Sequence, residues 1–158
     1  MNADIENVLR NQDLKELELE PFVSVIKSTS IRDTIQKMRN LSNIHAVIVV
    51  EDDKPIGVFS RVNMMHRLAL SDIDLNSAIE TVMLATSKSV TLSFSLMEAA
   101  SILKNELLRT LPIVDEAGKV IGVVTARSLI RHIAAHFPTA VYNLPPDPHR
   151  VSSFPDGA

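Results

Sequence analysis

The chain of 158 residues is 46% hydrophobic and 22% charged, with 16 Lys+Arg against 19 Asp+Glu and a formal net charge of −3. This is a globular composition, and its slight acidity argues against a surface built to coat DNA or RNA. Cysteine is absent, which removes disulfides, thiolate metal sites and cysteine nucleophiles together and fits a reducing compartment. The start, Met1-Asn2-Ala3-Asp4-Ile5-Glu6, has no basic stretch leading into an apolar one, and the longest apolar run, residues 46–50, is too short for a bilayer. The expectation is a cytoplasmic protein with no secretory leader and no membrane partner.

Residues 1–20 read as a lead-in with a short helix whose apolar positions are Ile5, Val8 and Leu9. Residues 23–26 form a strand candidate. Ser30-Ile-Arg-Asp33 then sets a hydroxyl at a helix N-cap and a carboxylate three residues on, close to a capping box. Ile31, Ile35, Met38 and Leu41 recur at spacings of three and four, which predicts an amphipathic helix with one buried face. The apolar run 46–50 reads as a buried strand, 51–54 as a turn, and 56–59 as its hairpin partner. Ser60 caps a second helix over 61–70. Residues 71–83 link onward, with 77–83 expected to be helical.

The same order then returns. A displacement of 65 positions sets Ser24 on Ser89, Val25 on Val90, Ser30 on Ser95, Val49 on Val114, Gly57 on Gly122 and Val58 on Val123, without a gap. Residues 89–92 repeat the opening strand, Ser95-Leu-Met-Glu98 repeats the cap, and Leu96, Ala99, Ala100, Leu103 and Leu107 repeat the helix face. Residues 111–114, 115–119 and 120–124 repeat strand, turn and strand, and Thr125 caps a closing helix over 126–136. The fold class is therefore α/β, with mixed sheets built from two strand-helix-strand-strand-helix units related by a pseudo-twofold. The domains are a lead-in (1–20), repeat 1 (21–70), a linker with a lead-in helix (71–83), repeat 2 (84–137) and a tail (138–158). Five of the eight prolines lie between Pro138 and Pro155, so the tail cannot be helical; an extended strap anchored by Tyr142, Leu144, Val151 and Phe154 is expected, on this subunit or on a partner's.

The stretch Leu111-Pro-Ile-Val-Asp-Glu-Ala-Gly-Lys-Val-Ile-Gly-Val-Val-Thr-Ala-Arg-Ser-Leu129, with its fainter copy over 46–64, resembles the cystathionine-beta-synthase (CBS) domain pair, or Bateman module, of the small stand-alone bacterial type. The resemblance spans about residues 1–137. It implies a regulatory, non-catalytic module that binds an adenine-containing ligand such as AMP, ADP, ATP, S-adenosylmethionine or NAD. It also implies a homodimer shaped as a flat disc, and a regulated protein the sequence does not name.

The chemistry has a physical basis. A strand ending Gly-x-x-Ser/Thr feeds directly into a helix start, where glycines let backbone approach a ligand and free N–H groups favour anions. The resemblance places a preferred site at Ser89, Val90, Thr110, Leu111, Pro112, Thr125, Arg127 and Ser128, with Arg109 and Arg131 near enough to attract phosphate. A first-repeat site falls at Ser24, Val25, His45, Ala46, Ser60 and Asn63. The family's ribose-binding Asp is replaced by Asn63 and Ser128. Trading a charged acceptor for a neutral one weakens ribose binding roughly ten- to hundredfold. The alternative reading follows from that loss: a ligand-incompetent dimerisation scaffold acting through its surface and tail.

Other constellations carry little chemistry. His132 and His136 lie one helical turn apart and read as partners of a helix C-terminus, with no metal expected. No Ser-His-Asp set, P-loop or dinucleotide fingerprint is present, so no enzyme is expected and no cofactor is required.

Overall fold

The structure is a computed structural model that describes residues 3–41, 44, 46–61, 65, 73–86, 88–105 and 109–136. Helix α1 (Ala3–Asn11) and a 3₁₀ turn (Leu14–Glu16) lead into strand β1 (Val23–Ile26). Helix α2 (Ile31–Asn40), β2 (Ala46–Glu51) and β3 (Lys54–Ser60) complete the first unit, followed by a 3₁₀ turn (Ile79–Thr81) and β4 (Leu84–Ala85). The second unit contains α3 (Leu96–Asn105), β5 (Thr110–Val114), β6 (Val120–Thr125) and α4 (Ala126–His136).

The caps form as the sequence predicts. The Asp33 N–H donates to Ser30 Oγ at 3.0 Å. The second cap is reciprocal: Glu98 N–H donates to Ser95 Oγ at 3.2 Å, and Ser95 N–H donates to Glu98 Oε2 at 2.8 Å. These bonds hold the Glu98 carboxyl below its usual range, the Ser95 hydroxyl contributing most.

Strand β1 pairs parallel with β2, the connection running through α2 as a crossover requires, and β2 pairs antiparallel with β3. Asp52 and Asp53 take positive φ (49° and 64°), the two-residue turn that matches hairpin twist. In the second unit Asp115 Oδ1 accepts from the N–H groups of Ala117 (3.0 Å) and Lys119 (2.9 Å), and Gly118 has φ 82°. Side chains alternate between two faces. Val25, Val47, Val49 and Phe59 face α2, and Leu111, Ile113 and Val124 face α3 and α4. The opposite faces meet each other, Ala46, Ile48, Val50 and Val58 packing with Val114, Val120 and Val123. The order of layers is helix, sheet, sheet, helix.

The lead-in of each unit completes the core of the other. Leu14 and Leu17 are buried among Val90, Leu96, Leu111 and Ile113, whereas Ile79 and Val82 are buried among Val25, Ile31, Val47 and Phe59. The backbone repeats the exchange bond for bond. Leu14 N–H donates to Phe94 O at 2.8 Å and Ile79 N–H to Thr29 O at 2.7 Å. Leu96 N–H donates to Gln12 O, and Ile31 N–H to Ser77 O, both at 2.9 Å. Each pair is related by the sequence displacement of 65. Strand β4 adds to β3 through Val58 and Leu84, and Glu20 bridges Val123 on β6.

Four expectations change. Residues 77–83 make a single 3₁₀ turn rather than a helix, because Ile79 and Val82 turn into the first core and the chain must then extend to pair with β3. The strand expected at 89–92 shrinks to a parallel bridge between Val90 and Ile113. The hairpin glycines receive protein rather than ligand. A Cβ on Gly57 would run into Met83 Sδ and lie 3.1 Å from the Leu84 carbonyl oxygen, and one on Gly122 would lie 3.0 Å from Leu19 Cδ1. The lead-ins occupy the room that the missing side chains leave. Finally, Ser89 and Val90 do not share a face: Ser89 is exposed and Val90 is core, as strand alternation requires. The helix expected over 61–70, apart from Arg61 and Met65, and the tail over 138–158 lie outside the described residues.

Candidate functional site

Thr125 is the last residue of β6 and the residue before α4. It stands opposite Thr110 across the hairpin, with Pro112 opposite Val123 two residues along. Thr110, Pro112, Val123 and Thr125 fall on the side of the hairpin turned toward the first sheet, by alternation with Leu111, Ile113 and Val124. Three sequence-predicted residues, Thr110, Pro112 and Thr125, are thus brought together at the mouth of the α4 N-terminus.

Ser128 joins them through a reciprocal cap. Its N–H donates to Thr125 Oγ1 at 3.1 Å, and Thr125 N–H donates to Ser128 Oγ at 2.9 Å. The Ser128 hydroxyl then donates to the Thr125 carbonyl at 2.8 Å, and the residue is buried. The short side chain is spent inside the first turn of α4. Arg127 is exposed on the same turn, and Ser89 is exposed immediately before the Val90 bridge to β5.

Val90 and Leu111 lie underneath rather than at the surface. Val90 N–H donates to Pro112 O at 3.0 Å and its carbonyl accepts from Val114 N–H at 2.8 Å, so its backbone is engaged, and its side chain is 1% exposed. Leu111 is fully buried. Both hold the floor against α3 and α4.

The first-repeat residues show the same arrangement as far as they are described. Ala46 stands opposite Ser60, as Thr110 stands opposite Thr125. Ser24 is exposed and Val25 is core, so this pair too divides between faces. His45 and Asn63 lie outside the described residues.

One site residue was not anticipated: Glu20. Its carboxylate Oε2 accepts from the Thr125 hydroxyl at 3.3 Å, its Oε1 lies 3.8 Å from Arg131, and its side chain is only 12% exposed. It reaches Thr125 because the crossed lead-in bridges β6. The signal that could have found it was the displacement of 65 extended backward, which sets Leu14 on Ile79 and Leu17 on Val82.

The two histidines behave as structural groups. His132 Nε2 donates to Gln12 Oε1 at 2.7 Å, tying α4 to the first lead-in, and His136 Nδ1 donates to the His132 carbonyl at 2.9 Å. Burial, with the neighbouring His136, holds the His132 ring below its usual pKa. Among the described residues no group of three or more His, Cys, Asp or Glu could hold a metal ion, and no helix is long and apolar enough to cross a membrane. A groove of about 620 Å³ lies along α2, lined by Arg32, Ile35, Gln36, Arg39, Asn40 and Leu75, away from the Thr125 cluster.

Known proteins share this architecture. The CBS domain model matches twice, at residues 14–70 and 79–135. Both matches begin in the lead-ins. An uncharacterized 17.7 kDa protein of Acidianus ambivalens is 27% identical over 110 residues, covering 69% of this chain and 66% of that protein. Among solved structures, the CBS domain pair of protein MJ0100 in complex with 5′-methylthioadenosine and S-adenosyl-L-methionine superposes with a TM-score of 0.68 at 18% identity, covering 79% of this chain and 98% of that one. CBS domain protein PAE2072 from Pyrobaculum aerophilum, complexed with AMP, also gives 0.68, at 20% identity, covering 80% and 98%. At these identities the superpositions establish the fold. The duplicated match, the crossed lead-ins and the sheet topology agree, and the chain belongs to the CBS domain family, carrying the domain twice.

Proposed function

We propose that this chain is a regulatory module that binds an adenine nucleotide or related adenosyl ligand beside the α4 N-terminus and signals by shifting how its two repeats pack. The observation that carries the reading is Thr125, which at once ends β6, caps α4 and stands opposite Thr110 on the side facing the other sheet. A helix N-terminus of that kind suits an anionic group, and Arg127 and Arg131 lie on its first two turns. The MJ0100 and PAE2072 complexes support the choice of AMP or an S-adenosyl compound. The preferred site keeps Ser89, Thr110, Pro112, Thr125, Arg127 and Ser128 as lining, over Val90 and Leu111. The first-repeat site keeps Ser24, His45, Ala46, Ser60 and Asn63, over Val25.

The proposal includes a homodimer. Met65 and Ile130 are 68% and 62% exposed, and they are the same position in the two repeats. Exposed apolar residues at matched positions of the two repeats suit a face that a second copy covers. A non-catalytic role, a cytoplasmic location, and the division at 1–20, 21–70, 71–83, 84–137 and 138–158 belong to the same proposal.

One observation favours the scaffold reading instead. The Ser128 hydroxyl, which stands where the family has a carboxylate, is bonded within its own helix turn. A thermal-shift series with AMP, ADP, ATP, S-adenosylmethionine and NAD separates the two. A ligand at a hundred times its Kd adds about 2.7 kcal/mol, which raises the midpoint by roughly 5–10 °C for a chain this size. A dose-dependent rise with one of them supports the sensor. No rise with any overturns it in favour of the scaffold, and a solution mass of a single chain overturns the dimer.

A further inference from the structure

We infer that Glu20 supplies the carboxylate that position 128 of the second site lacks, and that the group it receives is the vicinal diol of a ribose. The inference rests on the adenosyl-ligand reading above. Glu20 is placed by three features. It bridges Val123, two residues before Thr125 on β6. Its neighbour Leu19 packs against Gly122 on the helix side of that strand. Alternation therefore turns Glu20 to the opposite side, where Thr110, Pro112 and Thr125 lie. The result is a carboxylate 3.3 Å from Thr125 Oγ1, itself 3.4 Å from Ser128 Oγ.

An ordinary structural role does not account for this placement. Arg131 is about half exposed and meets Glu20 at 3.8 Å through one contact, a geometry that contributes little to stability. A carboxylate accepts about four hydrogen bonds, and among the described residues the Thr125 hydroxyl fills one. A largely buried anion with acceptor capacity left over is costly unless donors arrive. The two hydroxyls of a ribose are a matched pair of donors, and Ser128 competes poorly for them because its oxygen already accepts from the Thr125 N–H at 2.9 Å and lies 3.4 Å from the Thr125 hydroxyl. The acid thus comes from the lead-in of the first repeat, not from the helix of the second.

The test is isothermal titration of the full chain and of Glu20→Gln with AMP and with 2′,3′-dideoxy-AMP, which lacks the diol. Bonds to a charged acceptor are about twice as strong as neutral ones, so the wild type should prefer AMP by roughly tenfold, and Glu20→Gln should lose most of that preference while its dideoxy affinity holds. Arg131→Gln, in the same assay, should retain the preference. A Glu20→Gln variant that loses both ligands equally, or neither, overturns the diol assignment while leaving the adenosyl reading intact. Tighter AMP binding by Glu20→Gln overturns it as well, since Glu20 would then be repelling phosphate. Failure of the wild type to bind either compound removes the adenosyl reading and this assignment with it.

Discussion

If the lead-ins are exchanged, a residue before the first repeat should stabilise the second. Leu14 is the clearest probe: it is fully buried, and it packs with Val90, Leu96, Leu111 and Ile113 although it lies far from them in sequence. Leu14→Ala removes three carbons from that core. At about 0.8 kcal/mol per buried CH₂ the transfer loss is about 2.4 kcal/mol. The residual cavity adds to it, placing the whole effect near 3 kcal/mol within the usual 2–5 range. For a chain of 158 residues this lowers the melting midpoint by roughly 6–12 °C. Tryptophan is absent and there is one Tyr, so far-UV circular dichroism is the suitable probe of the melt. Amide exchange supplies the address. Leu14→Ala should speed exchange at Leu96, Ile113 and Val124 while Val47 and Phe59 stay protected, and Ile79→Ala should do the reverse. Loss of protection in the first repeat alone on truncating Leu14 would refute the exchange of lead-ins.

Two further outcomes follow from the same packing. Gly57→Ala should destabilise by about 1–3 kcal/mol, and by more than Gly122→Ala, because the new methyl meets the Leu84 backbone as well as Met83. Gly122→Ala meets only the Leu19 side chain, which can yield, and thermal melts of the pair check the order. His132 should make stability fall on acidification. Its folded pKa lies below the unfolded value near 6.5, so its contribution is complete above that value and is lost as pH falls through the folded pKa. His132→Gln should flatten the stability profile below neutrality in denaturant titrations, and an unchanged slope would assign the acid sensitivity elsewhere.

Much of the architecture is legible because it is local. Ser30 and Ser95 announce their helices through bonds that span only three residues. The strand pair β5–β6 and helix α4 are written in apolar runs with turn residues between them. The lead-ins are less legible. Leu14 and Leu17, like Ile79 and Val82, make one three-residue interval each, too little periodicity to declare a face, and their partners lie in the other repeat. The segment 77–83 reads as helical by composition, but tertiary packing takes Ile79 and Val82 into one core and then needs an extended strand. The site divides in the same way. Thr110 and Thr125 are visible as the ends of two predicted elements, whereas Glu20 enters through a long-range bridge that no local pattern encodes. Strand alternation also separates Val25, Val90 and Leu111 from the surface, a sorting that a motif transferred as a contiguous string does not perform.

The exchange bears directly on how such a module could signal. Glu20 belongs to the segment that precedes the first repeat, while Thr125 and Ser128 belong to the second. A ligand held by Glu20 and Thr125 would touch both halves of the chain, and its binding energy would depend on the path of the first lead-in across β6. That same lead-in carries Leu14 and Leu17 into the second core and passes directly into β1 of the first sheet. On the proposed reading, a displacement of Glu20 toward a ligand would pass along one short segment to the edge strand of the other repeat. The size of the response is bounded by the ligand's differential affinity for the two packings. A ligand that gains tenfold from Glu20 in one of them shifts their ratio by no more than that factor. On this argument Glu20→Gln should blunt the conformational response even where the base and phosphate still bind, so the diol contact and the signal should be lost together.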